Sequence, residues 1–171
     1  MQLYTKNNLS QKERLIIKEM KSYGYDFYYV KFNFAKLNMG NIKFSLPLDK
    51  MSEFLAITIK NYDGNGEIQR IVIASIPTIK KAIKDSTRLR KKYEIEINGI
   101  YVRPKSTTIE IMVHELAHII LFEDHIFSFY PSIADIPDFN NKMHGMSFSE
   151  VYSELCNKYK IKYPDPRYFV G

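Results

Sequence analysis

His114, Glu115 and His118 stand in the segment His114-Glu115-Leu116-Ala117-His118, and their types and spacing suit them to metal chemistry. Residues four apart on a helix differ by about 40° in azimuth and about 6 Å in rise, so two imidazoles can each aim a ring nitrogen at one divalent cation. Glu115 lies about 100° around from His114, out of line for a third ligand but within reach of a water on the same ion. Its natural task there is that of a general base. The surrounding segment is apolar almost all round, through Ile109, Ile111, Met112, Val113, Leu116, Ala117, Ile119, Ile120 and Leu121, which predicts a helix running through the core. Two histidines and a glutamate are costly in such a place unless each finds a partner. A cation supplies that partner more simply than a set of hydrogen bonds to backbone or carboxylates.

A catalytic zinc site takes three protein ligands and keeps one position open, so a third ligand must come from elsewhere in the chain. His144 follows 26 residues after His118 in His144-Gly145-Met146-Ser147-Phe148, ahead of a helix that could hold it rigidly, with Gly145 expected to ease the backbone turn. Asp124 is six residues past His118, but the turn position before it is Leu121 and not glycine. His125 is about 10 Å further along a continuing helix, too far to share the ion. Glu150 and Glu154 are accounted for by capping and by the solvent face of the last helix. His144 is the preferred candidate. The chain has one cysteine, Cys156, so neither a disulfide nor a thiolate zinc ribbon can form within it.

The elements that must position these residues read as an α+β fold. Ser10 and Glu13 have capping-box spacing ahead of a first helix to about Lys21. Tyr25 to Leu37 alternates, with Tyr28, Val30, Phe32 and Phe34 expected on one face, which predicts a long strand. A turn at Asn38-Met39-Gly40-Asn41 leads to a strand near Ile42 to Leu48. Phe54 to Lys60 and Ile68 to Ile76 flank Asn61-Tyr62-Asp63-Gly64-Asn65-Gly66, a hairpin loop by composition. The order suggests an antiparallel meander. Pro77 opens a short helix, Asn98-Gly99 marks a second hairpin between Tyr93 to Ile97 and Ile100 to Arg103, and Thr107 with Glu110 caps the buried helix. Phe127 to Lys142 reads as a long ordered loop. Ser147 and Glu150 form another capping box, and Phe148, Val151, Tyr152, Leu155 and Tyr159 recur at helical intervals in an amphipathic last helix.

The length of 171 residues fits one domain, 1–171, without internal repeats or linkers. Hydrophobic residues at 45% and charged residues at 26% are the balance of an ordinary globular domain. No apolar run approaches the roughly 20 residues of a membrane span and the N-terminus lacks a secretory pattern, so the expectation is a soluble, cytoplasmic protein with no membrane partner. The net charge of +6 is concentrated in Lys80, Lys81, Lys84, Arg88, Arg90, Lys91 and Lys92. Such a run is either a solvated face or a footprint for DNA or another acidic partner. The composition leaves the oligomeric state open.

The buried H-E-L-A-H helix, followed by a loop and by a histidine in an H-G-x-x-F segment opening an amphipathic helix, resembles the SprT-like zinc metallopeptidases, the family that includes the DNA-protein crosslink protease Spartan. The resemblance covers about Thr107 to Tyr159. It implies a zincin-like fold, a zinc ion (Zn2+) held by His114, His118 and His144, and Glu115 as the catalytic glutamate. Gly145 and Phe148 complete the second motif. The gap between the motifs is longer than in typical members, and the cysteine-based zinc ribbon that often follows this domain has no residues to build it here. The implied reaction is metal-assisted hydrolysis of peptide bonds in protein substrates, with Glu115 taking the water's proton and passing it to the leaving amine. Tyr130, His125 and Arg103 are possible oxyanion donors, and a strand of the Asn98-Gly99 hairpin could pair with an extended substrate. Two further readings are a nucleic-acid-associated or assembly-associated binding module with a structural metal, and a protease dedicated to one repressor. A structural site usually closes its fourth position with protein ligands, and no obvious fourth exists in this chain.

Overall fold

The computed structural model describes residues 8–31, 55–81, 84 and 108–161. The expected strand near Ile42 to Leu48, the Asn38 to Asn41 turn, the Asn98-Gly99 hairpin, Phe32, Phe34, Arg103, Thr107 and the basic residues from Arg88 to Lys92 lie outside the described residues. Within them the architecture is mixed α and β: a small sheet, a buried helix on one of its faces, and further helices around that one.

The first helix, α1, spans Gln11–Ser22 and begins with the expected capping box. The Glu13 amide donates to Ser10 Oγ at 3.2 Å and the Ser10 amide to Glu13 Oε1 at 3.3 Å, satisfying two amides that the helix itself leaves unbonded. Ile16 and Met20, four apart, are fully buried. The helix ends with Gly24 at φ 86°, its amide on Lys21 O and the Tyr25 amide on Met20 O at 3.1 Å. This left-handed reversal, which glycine adopts without penalty, sends the chain into strand β1.

β1 (Asp26–Val30) pairs in parallel with β3 (Ile68–Ser75), and β2 (Ala56–Tyr62) pairs antiparallel with β3, giving the order β1-β3-β2. The expected all-antiparallel meander is therefore corrected. Among the described residues only β2 and β3 form a hairpin. A parallel pair needs a crossover of a dozen or more residues, and the stretch 31–67, β2 included, supplies that length. Alternation reveals a strand but not its neighbour. Both faces of β1 are covered: Val30 is fully buried and Tyr28 half-buried on the expected shared face, while Phe27 and Tyr29 on the other enter the main core. The β2–β3 loop is fastened by Asp63, whose Oδ1 accepts from the Asn65 and Glu67 amides at 2.8 and 3.0 Å. Central strand β3 is buried on both faces from Ile71 to Ser75, which explains its unbroken apolar run. Helix follows directly at 76–81, with Pro77 in its first turn and Lys80 and Lys81 exposed.

The register places Thr58, Val72 and Phe27 abreast on one face of the sheet, and helix α2 (Thr108–Asp124) packs there. Leu116, Ala117, Val113 and Ile119 are fully buried, as the all-round apolar pattern predicts. Burying each large side chain of this kind contributes about 1.5–3 kcal/mol, so the helix is anchored along its length. Buried Lys60 reaches from β2 to donate to Phe122 O at 2.9 Å, satisfying a carbonyl that α2 leaves open at its end. The expected long loop contains 3-10 turns at Ile126–Phe129 and Ile133–Asp135 and a short helix α3, Phe139–Lys142. Phe127, Ile133 and Ile136 are buried beneath it, and Ser132 donates to Asn61 Oδ1 at 2.7 Å. Helix α4, Met146–Lys158, closes the core with Phe148, Val151, Tyr152 and Leu155.

Candidate metal centre

α2 supplies two imidazoles and the segment before α4 the third. The Nε2 atoms of His114 and His118 are 3.2 Å apart, those of His118 and His144 3.2 Å, and those of His144 and His114 3.1 Å. Each such nitrogen carries either one proton or one lone pair. Three of them cannot satisfy one another around a triangle, because at least one edge brings like groups face to face. A cation shared by three lone pairs resolves the conflict, and the edges are close to the roughly 3.3 Å expected between imidazole nitrogens at about 2.0–2.1 Å from a tetrahedral ion. These three histidines lie close enough to hold a metal ion.

Burial is graded across the group. His118 is 8% exposed, His114 intermediate and His144 exposed, so the centre reaches the surface on the His144 side. Burial holds His118 well below the ordinary histidine pKa, and the neighbouring charges of His114 and His144 act in the same direction. The neutral form, which carries the lone pair a metal needs, is favoured. Among the described residues nothing accepts a hydrogen bond from His118 Nδ1. Its ring is oriented instead by packing: Phe148 lies 4.6 Å away between centroids and Phe122 stacks at 6.0 Å.

Glu115 stands outside the triangle, as its azimuth predicts. Its carboxylate is buried, and Oε2 accepts a 2.6 Å hydrogen bond from Thr58 Oγ1 on β2. Burial pushes the carboxyl up to about 7, while the Thr58 hydrogen bond acts to lower it. A cation on the histidines would add to the lowering influence. Thr58 carries no signal in the sequence, being an ordinary strand residue 57 positions upstream of Glu115.

The other candidates fall elsewhere. Asp124 is still helical and its Oδ2 accepts from Tyr23 Oη at 2.9 Å. His125 is exposed at the start of a 3-10 turn, and Glu150 and Glu154 are exposed on α4. Among the described residues no fourth histidine, cysteine or carboxylate joins the group. The cap of α4 is corrected: Gly145 occupies the N-cap position without a side-chain bond, and Ser147 lies inside the first turn. The turn at Gly145 is also ordinary, with φ −77°, a backbone open to any residue. A Cβ there would meet Lys142 O at 3.5 Å, normal van der Waals contact. No helix among the described residues is long and apolar enough to cross a membrane. No family model, curated protein or solved structure matches the chain.

Proposed function

We propose that the protein is a zinc-dependent metallopeptidase of the SprT-like kind, with His114, His118 and His144 as zinc ligands and Glu115 as general base. The observation that carries this reading is the triangle of three Nε2 atoms with 3.1–3.2 Å edges beside a buried carboxylate that does not join it. Zinc supplies a Lewis acid that makes water nucleophilic near neutral pH and polarises a peptide carbonyl. Glu115 accepts the proton of the attacking water and delivers it to the leaving amine. The three imidazoles, packed against Phe148, keep their lone pairs aimed at one point, and the exposed His144 side admits a protein or peptide chain. Absence of a fourth protein ligand among the described residues favours an open site over a closed structural one.

The exposed Lys80, Lys81 and Lys84 support an accompanying association with DNA, whose affinity would fall with salt. The test of the main reading compares the zinc-loaded wild type with Glu115→Gln on unfolded protein and peptide libraries. Cleavage by the wild type, lost by at least about 100-fold in a variant that still binds zinc, is the expected result. Equal cleavage by the two, or none by the loaded wild type, overturns it.

A further inference from the structure

We propose that Thr58 is the positioning residue for Glu115, its hydroxyl holding carboxylate Oε2 so that Oε1 takes the proton. The inference rests on the peptidase reading and adds a residue from another element to that site. Thr58 lies on β2, in register with Val72 of central strand β3, and is only 9% exposed. Its Oγ1 is 2.6 Å from Glu115 Oε2 and 3.4 Å from the Glu115 carbonyl oxygen. One hydroxyl proton serves one strong bond, and the shorter contact with the carboxylate takes it.

The geometry calls for such a donor. A glutamate side chain has three rotatable bonds, and in a buried setting an unheld carboxylate would lose both orientation and solvation. Threonine is stiff at χ1 because of its branched Cβ, and the paired strand beneath fixes its Cα. The sheet thereby transmits its rigidity to the reacting carboxylate, and β2 acts as more than a packing surface for α2. A hydroxyl suits this place better than a cation. It stabilises the carboxylate without forming an ion pair that would weaken the base, and it keeps its own proton throughout the reaction.

The test uses full-length chains carrying Thr58→Val, which keeps the shape and removes the donor, and Thr58→Ser, which keeps the donor and removes the methyl. With zinc bound, Thr58→Val is expected to lower kcat about 10–100-fold with KM and zinc content unchanged, and Thr58→Ser to recover most of that loss. A readout without turnover is the 13C resonance of the Glu115 carboxyl in glutamate-labelled protein, identified by its disappearance in Glu115→Gln. It should shift in Thr58→Val and stay in place in Thr58→Ser. Should Thr58→Val not fold, Thr58→Ala replaces it with the same expectations. An unmoved resonance in the variant lacking the hydroxyl, or an equal loss of kcat in the serine variant, overturns the positioning role. A loaded wild type that cleaves nothing overturns the peptidase reading and the catalytic purpose of the contact with it, whatever the resonance does.

Discussion

Phe148 and His118 lie ring against ring, 4.6 Å between centroids with planes inclined by 39°. The same phenyl ring is 4.9 Å from His114 and 4.9 Å from His144. One fully buried side chain therefore backs all three imidazoles of the triangle. It covers one side of the group and limits the rotation of each ring, which would strengthen the hold of the three lone pairs on a cation. Phe148 also belongs to the main core, so the fold and the histidine triangle share it.

From this follows the first prediction. Phe148→Ala should cost about 3–5 kcal/mol of stability through the cavity it leaves, and Phe148→Leu much less. The informative quantity is zinc affinity in the folded leucine variant, measured by competition with a chromogenic chelator. It should fall about 10–100-fold, as is usual when support for metal ligands is lost. A folded Phe148→Leu that holds zinc as tightly as the wild type would show that the ring is merely core.

What could be read from the residues, and what could not, divides along physical lines. His114, Glu115 and His118 lie within one helical turn and a half, where spacing alone sets geometry, and chemistry narrows the distant partner to His144, since only a few residue types can bind a metal. The structure brings the three histidines close enough together to hold a metal ion. Thr58 was invisible because its partnership with Glu115 depends on the packing of β2 against α2, which no local pattern encodes. The β1–β3 pairing is hidden for the same reason: alternation identifies strands while long-range contacts select their neighbours. At the start of α4 the sequence offers one capping signal, the Ser147–Glu150 pair, whereas the helix begins at Met146 with Gly145 in the N-cap position and no side-chain cap.

A second prediction concerns pH, through the cluster that fixes the far end of α2. Glu123 Oε1 accepts from Arg70 Nε at 2.8 Å and from Tyr25 Oη at 2.9 Å, with Lys60 Nζ at 3.4 Å. Burial would raise the Glu123 pKa, but the Arg70 and Tyr25 hydrogen bonds and the Lys60 and Arg70 charges outweigh it and hold the group below its ordinary 4.5. Burial, followed by the Glu123 charge, pushes Tyr25 well above its ordinary 10.0. A carboxyl with a depressed folded pKa adds stability above its unfolded value and loses it as pH falls through the folded one. A phenol with a raised pKa adds stability below its unfolded value and loses it as pH climbs toward the folded one. The cluster should thus stabilise the fold across the interval from 4.5 to 10.0 and weaken outside it. Urea denaturation of wild type and Glu123→Gln at neutral pH and at pH values below 4.5 checks the acid limb. The stability gap should be largest at neutral pH, where the substitution strands Lys60 and Arg70, and should shrink in acid. A gap that stays constant with pH would sink the assignment.

The third prediction separates His144 from the other ligand candidates. His144 is exposed, so His144→Ala removes no core volume and should leave the metal-free melting temperature nearly unchanged. Binding of zinc to the folded chain stabilises it by RT ln(1 + [L]/Kd), about 2.7 kcal/mol at 100 times Kd. For a chain of this length that corresponds to a rise of roughly 5–11 °C. If loss of the third imidazole weakens binding about 100-fold, the same zinc concentration leaves about 0.4 kcal/mol, a rise of no more than roughly 2 °C. Asp124→Ala and Glu150→Ala should retain the full zinc-induced rise, because Asp124 is engaged by Tyr23 and Glu150 lies exposed on α4. Thermal scans of the four chains with zinc and with excess chelator give the comparison. A full rise in His144→Ala, or its loss in either control, would move the third ligand away from the imidazole that closes the triangle.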